Sequence, residues 1–72
     1  MTKKEAKRLE AEYTHRLNEL HEIRSKLSRA YSSFDIVTDP NMMDACIFEI
    51  SALRSRYNYA VAGIKRMNQG DQ

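Results

Sequence analysis

His15 and His21 are the only histidines in the chain, and Cys46 is its only cysteine. They are the side chains best suited to hold a metal or move a proton. On a helix, six residues of separation turn the two imidazoles about 120° apart. The i,i+4 spacing of a helical metal pair is therefore absent. Glu12 and His15 do form one Glu-x-x-His step, the unit that carboxylate-bridged di-metal bundles use. That architecture needs a second such unit and further inward glutamates, and the chain offers neither. Cys46 falls among Met43, Ile47 and Ile50 and reads as a small buried hydrophobe. A reactive thiol needs a neighbouring base or cation, and no histidine shares its helix. There is no Gly-rich phosphate loop and no nucleophile–base set. The expectation is no catalytic residue, no cofactor, no metal and no enzyme activity.

The segment Arg54-Ser55-Arg56-Tyr57-Asn58-Tyr59 mixes cations with aromatic rings, a combination used for stacking on nucleic acid. On a helix, however, Tyr57 and Tyr59 point to opposite faces and cannot make one platform. Arg54 and Arg56 read instead as rim residues whose aliphatic stems cover the core.

The elements that must carry these side chains follow from the periodicity. From about Lys3 to Phe34 there is no Gly or Pro. A heptad runs through Ala6, Leu9, Tyr13, Arg16, Leu20, Ile23, Leu27, Ala30 and Phe34, which predicts a one-faced helix over about 3–34. Arg16 alone breaks it, and Leu17 can take over the core side. Glu12–Arg16 and Glu22–Lys26 are acid-first i,i+4 pairs, each worth about 0.3 kcal/mol. The first turns carry the weakest apolar stripe and are expected to fray.

Residues 35–39 form the connection. Asp35-Ile36-Val37 is poor for helix, and Pro40 disfavours helical backbone at Asp39. Asp39 or Thr38 can cap the next helix with Pro40 at its first position. Ile36 or Val37 is expected to close the top of the hairpin. The heptad returns over about 40–68 through Met43, Cys46, Ile50, Leu53, Tyr57, Ala60, Ile64 and Met67, with Ile47 and Val61 widening the same face. Gly63 within it costs about 1 kcal/mol against Ala and reads either as a close helix contact or as a surface glycine. Gly70 is the expected stop, and 69–72 a polar tail.

The expected fold is all-α: a single domain over 1–72, built as an antiparallel two-helix hairpin of coiled-coil character. Such a hairpin of 72 residues, with no disulfide available, buries little per residue, so a partner or oligomerisation is expected. The net charge of +2 makes nucleic acid an unlikely partner on charge grounds. The charged start and the absence of a long apolar run argue against a signal peptide or membrane span. With no disulfide framework either, the chain reads as cytoplasmic.

Helix two carries a second line on its far side: Ala45, Phe48, Ala52, Ser55, Tyr59 and Ala62. The steps of 3, 4, 3, 4 and 3 keep it on one face. The corresponding outer positions of helix one, Ala11, Asn18, Ser25 and Ser32, hold nothing large and apolar. Helix two should thus be sandwiched. A self-interface giving a dimer and a four-helix bundle is the leading reading. A different protein using the same line, or two aromatics with merely wet edges, are the alternatives.

Asp39-Pro40, then Asp44-Ala45-x-Ile47-Phe48-Glu49, then Ala52-Leu53-x-Ser55-Arg56-Tyr57-x-Tyr59 and Lys65 together resemble the YaaL-like family of small bacterial proteins of unknown function. The resemblance covers Phe34 to Lys65, about half the chain, and departs at Gly63-Ile64, where the family commonly has an alanine before the lysine. It implies a cytosolic protein of this size from Gram-positive, often spore-forming, bacteria, and it supplies no activity. Family genes often lie near those for DNA recombination mediators, which hints at genome maintenance or sporulation. It also draws attention to Glu49 and Arg56, seven apart on one line beside the core, as residues that set register through inter-helix or inter-subunit ion pairs. The functional expectation is a small interaction module, an adaptor, scaffold or regulatory subunit. The runner-up is a nucleic-acid-associated accessory protein.

Overall fold

Thr2-x-x-Glu5 is a helix-start signature that the heptad does not use. In the computed structural model, which describes residues 1–69, Thr2 has extended backbone (φ −78°, ψ 161°) and its hydroxyl oxygen accepts from the Glu5 N–H at 3.1 Å. The same hydroxyl donates to the Glu5 carboxylate at 3.0 Å. Helix α1 then runs from Lys3 to Ile36. It outlasts the expected end at Phe34 by two residues. The β-branched Ile36 costs at most several tenths of a kcal/mol in helix propensity, too little to end the helix by itself. The stop comes at Val37, extended in backbone, whose N–H donates to the Ser33 carbonyl at 3.1 Å.

Three residues, Val37-Thr38-Asp39, reverse the chain. Of the two candidate caps, Asp39 does the work: one carboxylate oxygen accepts from the N–H of Asn41 at 2.9 Å and of Met42 at 3.1 Å. Its carbonyl accepts from Met43 at 2.9 Å. Pro40 opens helix α2, Pro40–Gln69, where its missing N–H costs nothing. The expected stop at Gly70 and the last three residues of the expected tail lie outside the described residues, and Gln69 is helical. Of the two residues expected at the top of the hairpin, Val37 is half-buried and Ile36 is exposed.

The two helices pack along each other in a rod of 56 × 18 × 13 Å. Arg24 meets Tyr57, and Arg16 lies against Gly63, so residue numbers rise on one helix as they fall on the other. The pair is antiparallel. Leu20, Ala30, Cys46 and Leu53 form the buried centre of the seam, flanked by half-buried Tyr13, Leu17, Ile23, Leu27, Phe34, Met43, Ile50 and Tyr57. Even the best-buried of these, Ala30 and Leu53, keep 5% of their surface exposed. A two-helix core has no third wall.

Three expected core positions lie elsewhere. Ala6 and Leu9 continue the heptad but are exposed, as are all residues from 1 to 12. Here α1 extends past the described end of α2 and has nothing to pack on. Ile47 is 50% exposed, whereas Val61 is half-buried as expected. Ile47 lies about 100° from the centre of the α2 seam and Val61 about 60°, so only Val61 reaches α1.

Arg16 resolves its own anomaly. A methyl group added at Gly63 would sit 2.6 Å from Arg16 Nη1 and 3.7 Å from Cζ. The guanidinium lies in the notch left by the missing side chain, tied back to Glu12 at 3.3–3.4 Å. Gly63 is thus a close contact, and a buried one.

Two stability measurements check these assignments. In urea unfolding, Asp39→Ala should cost about 1 kcal/mol, while Thr38→Ala should leave stability within a few tenths. Gly63→Ala should give a net gain of about 0.5 kcal/mol. Helix propensity contributes about 1 kcal/mol, and displacement of the flexible Arg16 head and its exposed pair offsets part of it. In an Arg16→Ala background the same change should recover the full increment.

Candidate interaction surface

The second line on α2 stands in solvent. Ala45, Phe48, Ala52, Ser55, Tyr59 and Ala62 are all exposed, Phe48 at 74% and Tyr59 at 72%. The line lies about 150° around α2 from the seam, too far for α1 to reach. The periodicity that placed these residues on one outward face is therefore reproduced, with two aromatic rings projecting from a floor of small side chains.

A shallow groove runs along each side of this line, between α2 and α1. On one side Glu49, Ala52 and Arg56 face Lys26, Arg29 and Ser33 of α1. The groove continues to Tyr59 and Ala60 opposite Glu19, Glu22 and Ile23. Glu49 and Arg56 share this wall, as their spacing predicts. Yet the ion pairs within 4 Å among the described residues are three i,i+4 pairs, all on α1: Glu12–Arg16, His15–Glu19 and Glu22–Lys26. Within one chain Glu49 and Arg56 thus make no inter-helix ion pair. The second groove holds Ile47, Ile50, Arg54, Ser55 and Asn58 against Tyr31 and Phe34. Arg54 and Arg56 consequently lie on opposite rims.

One inter-helix polar contact escaped the sequence reading. Arg24 Nη2 donates to the Tyr57 hydroxyl at 3.3 Å, and its guanidinium carbon lies 5.7 Å from the ring centroid. The seam-facing ring of Tyr57 thus carries a cation above it, while Tyr59 points outward. The two tyrosines share no platform. The signal for Arg24 was its place one residue beyond Ile23 on the flank of the seam, but pairing it with Tyr57 requires the hairpin register.

The groups of possible chemical interest go to other partners. Glu12 holds Arg16, and His15 Nε2 pairs with Glu19 at 2.8 Å, so the two members of the Glu-x-x-His step turn to different neighbours. Among the described residues no three His, Cys, Asp or Glu side chains converge as metal ligands would. Cys46 is a free, buried thiol. No described helix is long and apolar enough to cross a membrane.

No family model, no curated protein and no solved structure matches this chain.

Because Cys46 is in the seam, its alkylation by iodoacetamide in the native protein should be slow and rise steeply as urea approaches the unfolding midpoint. Rapid modification without denaturant would place the thiol outside the core.

Proposed function

We propose that this protein is a small interaction module without catalytic activity of its own, acting as a homodimer joined through the outer line of α2. The observation that carries the reading is the pair of exposed rings, Phe48 and Tyr59, aligned on a face otherwise made of Ala and Ser. Single exposed apolar residues are ordinary; two aromatics on one line, with small residues between them that admit a second helix, form a docking surface. The area is adequate. Two rings from each copy, at about 150–250 Å² apiece, approach the ~1,200 Å² at which specific interfaces begin before alanines and flanking stems are added. Any such association also adds buried surface, of which a hairpin of this size is short.

The resemblance to the YaaL-like family rests on the residues of Phe34 to Lys65 alone and brings a cytoplasmic setting with it. A second reading, a nucleic-acid-associated accessory protein, is favoured by one observation. Lys3, Lys4, Lys7 and Arg8 are all exposed on the part of α1 that extends past α2. Binding by these cations would show a steep salt dependence. A fluorescent oligonucleotide whose anisotropy is unchanged at low salt removes that reading.

The test of the main proposal is absolute mass by light scattering across a dilution series. The expected result is a dimer for the parent chain and a monomer of unchanged helicity for Phe48→Glu, which would bury an unpaired carboxylate in the interface. A Phe48→Glu chain that remains dimeric refutes the assignment of this face.

A further inference from the structure

The outer line of α2 reads the same in size from either end. Ala45, Phe48, Ala52, Ser55, Tyr59 and Ala62 run small, large, small, small, large, small, and their spacing of 3, 4, 3, 4, 3 is symmetric about a point between Leu53 and Arg54. An antiparallel copy of α2 turned about that point brings Phe48 against Tyr59 of the second copy, twice. It also sets Ala52 against Ser55 of the second copy at the centre, where small side chains let the axes approach to about 8 Å. Size alone also permits a parallel pair, with like residue on like.

Charge separates the two. Asp44 and Glu49 lie in the first half of α2, while Arg54, Arg56, Lys65 and Arg66 lie in the second. All six are exposed, and among the described residues none has an ionic partner within 4 Å. A parallel pair would lay acid on acid and base on base, and would set Asp44 near Glu49 of the second copy through the flank-to-flank pairing of parallel coiled coils. An antiparallel pair lays the acidic half of each helix on the basic half of the other. Glu49 and Arg56 occupy one flank of the line, Asp44 and Lys65 the other. A two-fold axis perpendicular to antiparallel helices keeps each flank on its own side. The register that pairs Phe48 with Tyr59 therefore also brings Glu49 beside Arg56, and Asp44 beside Lys65, of the second copy.

We infer that the dimer is antiparallel, α2 on α2, with its two-fold axis crossing between Leu53 and Arg54 and with Glu49–Arg56 and Asp44–Lys65 as inter-subunit ion pairs. The inference rests on the self-association proposed above. Because the α1 seam and this line lie on nearly opposite sides of α2, the four helices stand as a flat layer in the order α1, α2, α2, α1.

The experiment is a dipolar distance measurement on the full chain, spin-labelled at Gln69→Cys in a Cys46→Ala background, with mass measured on the same sample. Antiparallel packing separates the two labels by some 31 residues of helix, about 46 Å. A dimer with that distance supports the inference. A dimer with labels within about 20 Å is parallel and overturns it, leaving self-association standing. A chain that is monomeric at every concentration, with Phe48 intact and Cys46 unchanged, overturns the self-association reading itself. The ion pairs have a separate test. Glu49→Lys or Arg56→Glu alone should raise the dimer dissociation constant roughly three- to tenfold, and the double exchange should return it toward the parental value. Losses that merely add contradict the pairing.

Discussion

A lone helical hairpin has one seam, and everything else in this protein is arranged around how little that seam can hide. Leu20, Ala30, Cys46 and Leu53 are its buried centre, and even there a few per cent of the surface remains wet. The aromatic and branched residues on either side are half-covered because there is no further layer to cover them. With so thin a core, the ends matter more than they would in a larger domain. Asp39 satisfies two of the exposed N–H groups at the start of α2, and Thr2 satisfies one at the start of α1.

What was legible in the sequence was whatever depended on period. The heptads of both helices, the antiparallel hairpin, the outward line on α2 and two of the three α1 ion pairs all follow from spacing on a single helix. What was not legible depended on length or on register. Ala6 and Leu9 match the heptad perfectly yet face solvent, because periodicity says which face a residue occupies but not whether a partner reaches that far. Ile36 joins α1 despite its branched side chain, and the helix stops one residue later, at Val37. Ile47 sits at the edge of the apolar arc, where a few tens of degrees decide between seam and groove. The Arg24–Tyr57 contact joins residues 33 apart in sequence and becomes visible only once the two helices are aligned.

The outer line of α2 and its flanks divide in the same way. The line's residues were read from one helix and stand together as expected. Glu49 and Arg56 were read as a register pair, and the single chain leaves them on one groove wall without an ionic contact to each other or to α1. All three ion pairs seen among the described residues are i,i+4 pairs on α1, while α2 separates its acids from its bases along its length. The contrast assigns the helices different duties. One carries its ion pairs within itself; the other carries an electrical asymmetry that makes no ion pair within 4 Å among the described residues.

The Arg16–Gly63 contact has a bearing on folding as well as on packing. Heptad sequences are degenerate: a hairpin slipped by seven residues still pairs apolar with apolar and loses only its ends. Glu49, Arg56 and Gly63 occupy successive positions on the same flank of α2, so a slip of one heptad toward the connection would carry the Arg16 head from the empty notch at Gly63 onto the guanidinium of Arg56. The native alignment is the one in which a bulky cation meets a missing side chain. The competing alignment meets steric bulk and like charge together, which widens the energy gap between them. A residue that looks like a defect in the apolar pattern thus acts as an index mark, trading a little burial for discrimination against that slip.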